Sequence, residues 1–243
     1  MADTVKFDKG NIRMVAHRGV SGLETENTCL SFVAAGSRSY FGIETDIHVT
    51  PDGGFVVIHD NMTGRVAEVN VDVEKTPLPE LMNIKLKDRE DGAVRNDIRL
   101  PVLDDYVKIC KRYGKVCVLE IKSPFGRDNL KKVLEAVSSR DYAANVIYIS
   151  FHLENLLILR DLAGEDAKLQ FLCGELNDDL IDVLVKNRID IDIHYPTLLA
   201  HPEYMEKFRK GGLEVNCWTC DDPKDALKLK ALGVDYITTN ILE

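Results

Sequence analysis

Eight short runs of apolar, largely β-branched residues recur along the chain, at 12–16, 43–49, 116–121, 146–150, 168–172, 190–194, 213–217 and 234–238. Apolar runs of that length read as strands, and the segments between them carry helix punctuation. Asn27 is placed to cap a helix that turns Leu30, Val33 and Ala34 inward. Leu103, Tyr106, Val107 and Cys110 keep helical spacing up to Gly114, and Pro223 and Gly233 stand where a helix starts and stops. Strand-then-helix units repeated eight times in 243 residues call for parallel strands covered by helices. The pattern predicts an α/β fold, a (β/α)8 TIM barrel with a small insertion after the second strand, and a doubly wound open sheet is the alternative. One barrel domain over residues 1–243 is expected, with the insertion at about 60–100.

Composition permits this. The chain is 45% apolar and 29% charged, and area scaling for its mass gives about 11,000 Å² exposed when folded against roughly 40,000 Å² unfolded. The net charge of −9 disfavours nucleic acid or an anionic membrane surface as partner, since both need a basic field. An anionic substrate would need a local positive site. Residues 1–10 carry Asp3, Lys6, Asp8 and Lys9 and lack the apolar centre of a secretion signal. The longest apolar runs, such as 55–58 and 156–159, fall far short of a membrane span. The expectation is a soluble, cytoplasmic protein with no membrane anchor. Its six scattered cysteines then read as free buried thiols. Cys217 and Cys220 form a C-x-x-C, but the following helix starts only at Asp222-Pro223 and no further Cys or His pair completes a zinc site.

More than sixty residues separate the second run from the third. Thr50-Pro51-Asp52-Gly53-Gly54 opens that stretch with hairpin chemistry, Asp-Gly favouring a two-residue type I′ turn. With Asp52 and Gly53 central, His59 falls opposite Asp46; with Gly53 and Gly54 central, it faces His48. The polar remainder, including residues 85–91, reads as a small surface insertion.

The chemistry gathers on strand ends. Glu44, Asp46 and His48 alternate with apolar neighbours and so share one face, and Val116, Val118, Glu120 and Lys122 share a face of the next run. Barrel strands normally fill the interior with Val, Ile and Leu, so inward carboxylates point either to solvent or to a cation. Three carboxylates crowded together repel and raise one another's pKa, whereas a divalent ion favours all three ionised; oxygen-only ligands suit Mg²⁺ or Ca²⁺ over zinc. His17 and His59 each end an apolar run, where barrel active sites are assembled, and two imidazoles there could share proton transfer. Arg18 and Lys122 add the positive charge a phosphate needs. Trp218 is placed either as a lid over an apolar part of a substrate or as ordinary packing, and His48 could approach the metal, though a place behind the ligands or at the rim of the site fits it better. No G-x-S-x-G, H-E-x-x-H, P-loop or G-x-G-x-x-G occurs.

Taken in order, His17-Arg18-Gly19, Glu26-Asn27-Thr28, Glu44-Thr45-Asp46, Thr50-Pro51-Asp52-Gly53, His59-Asp60, Leu100-Pro101-Val102-Leu103, Glu120-Ile121-Lys122, Trp218-Thr219 and the 233–238 run make the chain resemble the glycerophosphodiester phosphodiesterases over nearly its whole length. The resemblance implies a (β/α)8 barrel that hydrolyses glycerophosphodiesters to glycerol 3-phosphate and an alcohol with one divalent cation. It places metal carboxylates at Glu44, Asp46 and Glu120, acid/base histidines at His17 and His59, and phosphate-contacting cations at Arg18 and Lys122. The sequence departs from the family pattern at Thr25, usually proline, at Cys220, usually apolar, and at Asn240, where aspartate is commoner. Two other readings keep the same barrel: a lysophospholipase D-type phosphodiesterase, which needs an acyl groove, and a non-catalytic phosphate- or polyol-binding protein.

Overall fold

The computed structural model describes residues 3–88 and 92–243. Its strands are β1 (Arg13–Ala16), β2 (Gly42–Val49), β3 (Phe55–Val57), β4 (Lys85–Lys87), β5 (Val94–Arg99), β6 (Val116–Ile121), β7 (Val146–Ser150), β8 (Lys168–Cys173), β9 (Asp190–His194), β10 (Val215–Trp218) and β11 (Tyr236–Thr239). All eight expected barrel strands are present. They run in the order β1-β11-β10-β9-β8-β7-β6-β2, and β1 also pairs with β2, which closes a parallel barrel and excludes the open sheet. Circular order sets β9 across the barrel from β2.

Helices return the chain outside the barrel, as right-handed parallel crossovers require. The helix Leu103–Tyr113 buries the four residues its spacing picked out and ends on Gly114, whose φ of 64° is the left-handed conformation that a Cβ opposes. Asp222 caps the helix Pro223–Leu232 and Gly233 ends it. Among the first helix's residues, Cys29–Gly36, the face differs from expectation: Leu30 and Val33 are exposed, while Phe32 and Ala35 are buried. The reason is local. Thr28, not Asn27, is the cap, reciprocating with Ser31, and Phe32 docks edge-on against Tyr106 at 5.1 Å.

Two apolar layers result from strand alternation. Outward residues such as Ile43, Ile47, Leu119, Ile191 and Ile237 pack on the helices, and inward Val15, Val118, Ile147, Ile149, Leu172 and Tyr236 fill the barrel. The folded surface, 10932 Å², agrees with the area its mass predicts. All six cysteines are unpaired.

The hairpin takes neither expected register. His48 lies opposite Val56 and Val49 opposite Phe55; Gly53 N–H donates to Thr50 O at 2.9 Å, and Thr50 N–H to Gly54 O at 2.9 Å. The loop therefore has three residues, Pro51, Asp52 and Gly53, with Gly53 at φ 81°. Pro51 fixes the φ of a type I turn's second position, and Gly53 then supplies the left-handed residue of the bulge that follows. His59 accordingly lies past the end of β3 and has no ladder partner in β2.

The insertion is less polar inside than its sequence suggests. Val56, Ile58, Val66, Ala67, Val73, Leu81, Ile84, Leu86, Ile98 and Leu100 bury one another in a separate small core beside the barrel, with β4 and β5 forming an antiparallel pair. Of the charged stretch 85–91, residues 85–87 are β4, and Arg89, Glu90 and Asp91 lie outside the described residues, as do Met1 and Ala2.

Candidate active site at the carboxyl ends of the strands

The parallel register sets Asp46 of β2 opposite Glu120 of β6, and Glu44 opposite Val118. Parity then turns Glu44, Asp46 and Glu120 to one point inside the barrel mouth, where a ligand oxygen of each lies within 4.8 Å of the others. All three are buried. Burial, then repulsion from Asp46 and Glu120, raises the Glu44 carboxyl well above the usual range. Burial and Asp46 push Glu120 up to about 8. Burial acts the same way on Asp46, but the Lys122 ammonium and Arg18 guanidinium outweigh it and hold that carboxyl well below the usual range. Asp46 Oδ1 is buried without a hydrogen-bond partner. Crowded carboxylates, two of them reluctant to ionise, and an oxygen among them that receives no hydrogen bond fit a divalent cation of the hard, oxygen-seeking kind.

The loop after β1 holds this cluster. Arg18 adopts φ 52° and Gly19 φ 75°, so the chain doubles back and Arg18 N–H donates to Glu44 Oε2 at 2.7 Å. A Cβ on Gly19 would collide with the Ser31 side chain and backbone, which is why the third residue of His17-Arg18-Gly19 is glycine. Asn27, also at φ 52°, donates from Nδ2 to Asp46 Oδ2 at 2.8 Å and accepts from the Thr45 hydroxyl at 2.7 Å. Its side chain is thereby committed to the carboxylates, which leaves the helix cap to Thr28.

Positive charge closes in from both flanks. Lys122 Nζ stands 2.8 Å from Glu120 Oε1 and 3.4 Å from Asp46 Oδ1. Arg18 pairs with Glu26 at 2.9 Å and lies 3.6 Å from Asp46. Glu26 in turn takes two bonds from Arg65, both 2.8 Å, and Arg65 Nε reaches Asp60 at 2.6 Å. The Asp60 carboxylate accepts from His59 Nδ1 at 2.6 Å. The expected Arg18 and His59 are thus tied to each other through Glu26, Arg65 and Asp60.

His17 is held from the opposite side. Asn240 Nδ2 donates to Asp221 Oδ2 at 2.6 Å, which leaves Asn240 Oδ1 as an acceptor for the Ser21 hydroxyl at 2.6 Å and for His17 Nδ1 at 2.7 Å. The imidazole must therefore carry its proton on Nδ1 when neutral. Burial, then the Arg18 charge, pushes the His17 pKa down to about 4. Burial also lowers that of His59, against the pull of Asp46.

A cavity of about 270 Å³ joins these groups: His17, Arg18, Glu44, His59 and Glu120 line one part, and Ile149, Phe151, Leu172, Trp218 and Asp192 another. Trp218 forms part of the wall, edge-on to Phe151 at 5.5 Å, with its Nε1 donating to Asp192 O at 3.1 Å. His48 does not line the cavity; it is fully buried behind His59, where its ring nitrogens meet Glu74 at 3.0 Å and His59 O at 3.2 Å. Six of the eight expected site residues, His17, Arg18, Glu44, His59, Glu120 and Trp218, line this cavity, and Asp46 and Lys122 adjoin it through their contacts with Glu120. Sequence reasoning gave no role to Glu26 and Asp60 and read Asn27 only as a helix cap, although all three lie within the quoted motifs, and it overlooked Arg65, Asp192 and Asp221.

The sequence profile of the Glycerophosphoryl diester phosphodiesterase family matches residues 17–243. A glycerophosphodiester phosphodiesterase of Caldanaerobacter subterraneus subsp. tengcongensis is 28% identical over 236 residues, covering 93% of both chains. The crystal structure of a glycerophosphodiester phosphodiesterase from Parabacteroides distasonis is 28% identical, covers 95% of this chain and 93% of its own, and superposes with a TM-score of 0.80. A phosphodiesterase of Oleispira antarctica, described in complex with the product sn-glycerol-3-phosphate, superposes at 0.84 with 22% identity, covering 94% and 92% of the two chains. The chain belongs to the glycerophosphoryl diester phosphodiesterase family and is, as its members are, a phosphoric diester hydrolase.

Proposed function

We propose that this protein, as one catalytic barrel domain with the insertion at about 60–100, hydrolyses glycerophosphodiesters to glycerol 3-phosphate and an alcohol. The observation that carries this is a cavity lined by Arg18, two oriented imidazoles and two members of a buried three-carboxylate cluster, with Lys122 paired to that cluster from behind. The product named for the Oleispira structure supports the substrate class. Glu44, Asp46 and Glu120 are the residues that would hold one divalent cation, Mg²⁺ or Ca²⁺. Such an ion supplies charge neutralisation at a phosphoryl oxygen.

The chain's own groups do the rest. Arg18 and Lys122 bind the phosphate and balance charge that develops on it. His17, whose Nδ1–H is committed to Asn240, presents a basic Nε2 and takes the proton of the attacking oxygen. That oxygen is water, or a neighbouring glycerol hydroxyl by way of a cyclic phosphate. His59, backed by the Asp60 carboxylate, returns a proton to the departing alkoxide as the P–O bond breaks. Trp218 with Ile149 and Leu172 covers the carbon skeleton and keeps water off it. The six free thiols suit a cytoplasmic setting; no helix is long and apolar enough to cross a membrane.

Turnover of glycerophosphocholine and of a lysophosphatidylcholine, compared on purified protein with Mg²⁺ or Ca²⁺, tests the substrate assignment. Glycerol 3-phosphate released faster from the first supports it. Preference for the lysophospholipid favours the lysophospholipase D reading, and tight binding without product favours a non-catalytic protein.

A further inference from the structure

Asp192 lies in the middle of β9, between Leu172 of β8 and Asn216 of β10 in the parallel register. It is 1% exposed, and no donor among the described residues reaches its Oδ1. A buried carboxyl oxygen without a partner is costly, and such groups are rare in folded proteins.

The polar neighbours are already engaged elsewhere. Asn216 Nδ2 donates to Gln170 at 3.1 Å, Asn216 Oδ1 accepts from the Thr238 hydroxyl at 3.2 Å, and Trp218 Nε1 is taken by the Asp192 backbone carbonyl. Asp192 also stands outside the group formed by Glu44, Asp46 and Glu120. It does line the same cavity as that group, from the strand opposite β2 in the barrel order. A substrate whose phosphoryl group sits with Arg18 and Lys122 on the β1, β2 and β6 side extends its neighbouring atoms toward β9. Ile149, Leu172 and Trp218 offer carbon surface to that arm, and the Asp192 carboxyl offers the polar contact.

We propose that Asp192 is a specificity-determining residue: its unpaired oxygen accepts a hydrogen bond from a hydroxyl of the glycerol arm, so that the site selects polyol phosphodiesters over simple alkyl ones. This rests on the phosphodiesterase reading above. The pairing is complete only with that substrate bound; an analogue lacking the hydroxyl leaves the carboxyl oxygen orphaned, and sites built that way discriminate strongly.

The test uses the full chain with Mg²⁺ and two diesters with the same leaving alcohol, glycerophosphocholine and propylphosphocholine. Asp192→Leu is expected to lower kcat/KM on the glycerol substrate about 10- to 100-fold more than on the propyl one. Asp192→Asn, which keeps an accepting oxygen, should fall between Asp192→Leu and the unaltered protein. Equal losses on both substrates, or no loss on glycerophosphocholine, overturn the proposal. The unaltered protein gives a second reading that needs no folded variant: glycerol 3-phosphate should inhibit about 10-fold more tightly than propyl phosphate, and equal inhibition would again overturn it. If the unaltered protein cleaves neither diester, the phosphodiesterase reading itself fails. Cleavage of both without preference for glycerol defeats only the role of Asp192.

Discussion

Asn240 Oδ1 accepts a hydrogen bond from His17 Nδ1 at 2.7 Å, and the same amide is pinned from behind by Asp221. The amide orients the imidazole and favours its charged form only weakly, so burial and Arg18 outweigh it and push the His17 pKa down to about 4.

Replacing that amide by a carboxylate reverses the effect. Asn240→Asp places negative charge against Nδ1 and favours the imidazolium, so the His17 pKa rises. As a base His17 works only when neutral, and the acidic limb of the rate profile should therefore move to higher pH. A pH series of kcat/KM on glycerophosphocholine reads the shift; an unmoved limb would deny His17 the role of base.

Cation binding should be pH-linked. Glu120 is pushed up to about 8 and Glu44 is raised too, so in EDTA the folded protein retains protons that the unfolded chain has lost. A raised carboxyl pKa gives stability that is fully present below the unfolded value of about 4.3 and is lost as pH rises through the folded value. A divalent ion displaces those protons and binds more tightly as pH rises. The increase in Tm on adding saturating Mg²⁺ should accordingly be larger at pH 8 than at pH 6, by differential scanning fluorimetry.

Asn27 should matter to stability as well as to activity. Asn27→Ala strips one hydrogen bond from buried Asp46 and another from buried Thr45, and puts a Cβ-bearing residue without a compensating side chain at φ 52°. A loss of about 1–3 kcal/mol is expected from the unpaired groups, measurable by urea unfolding, together with weaker cation affinity. Unchanged stability would mean that water takes over both contacts.

Much of this was legible because strands announce themselves locally. The β-branched runs and the period-two placement of Glu44, Asp46, Glu120 and Lys122 depend only on residues next to one another. The hairpin register was not legible, because Asp52-Gly53 suits a type I′ turn and only the competing preference of Pro51 decides against it. The insertion's core escaped notice for a related reason: Val56 and Ile58, Ile84 and Leu86, and Ile98 and Leu100 keep strand spacing only as isolated pairs, and nothing in that spacing shows that they meet. Asp192 carries no local signal beyond its place in the apolar run 190–194. Its meaning lies in Asn216, Gln170 and Thr238 having satisfied each other, a relationship among strands that no local pattern carries.

The most direct test of the account is release of glycerol 3-phosphate from glycerophosphocholine by the unaltered chain, Glu44→Gln and Glu120→Gln, in EDTA and after adding back Mg²⁺ or Ca²⁺. The account predicts turnover only with the divalent ion and only with both carboxylates present, and a further loss of about 10²- to 10⁴-fold in His17→Ala or His59→Ala with the ion supplied. Full turnover in EDTA, or undiminished activity in the carboxylate variants, would contradict it.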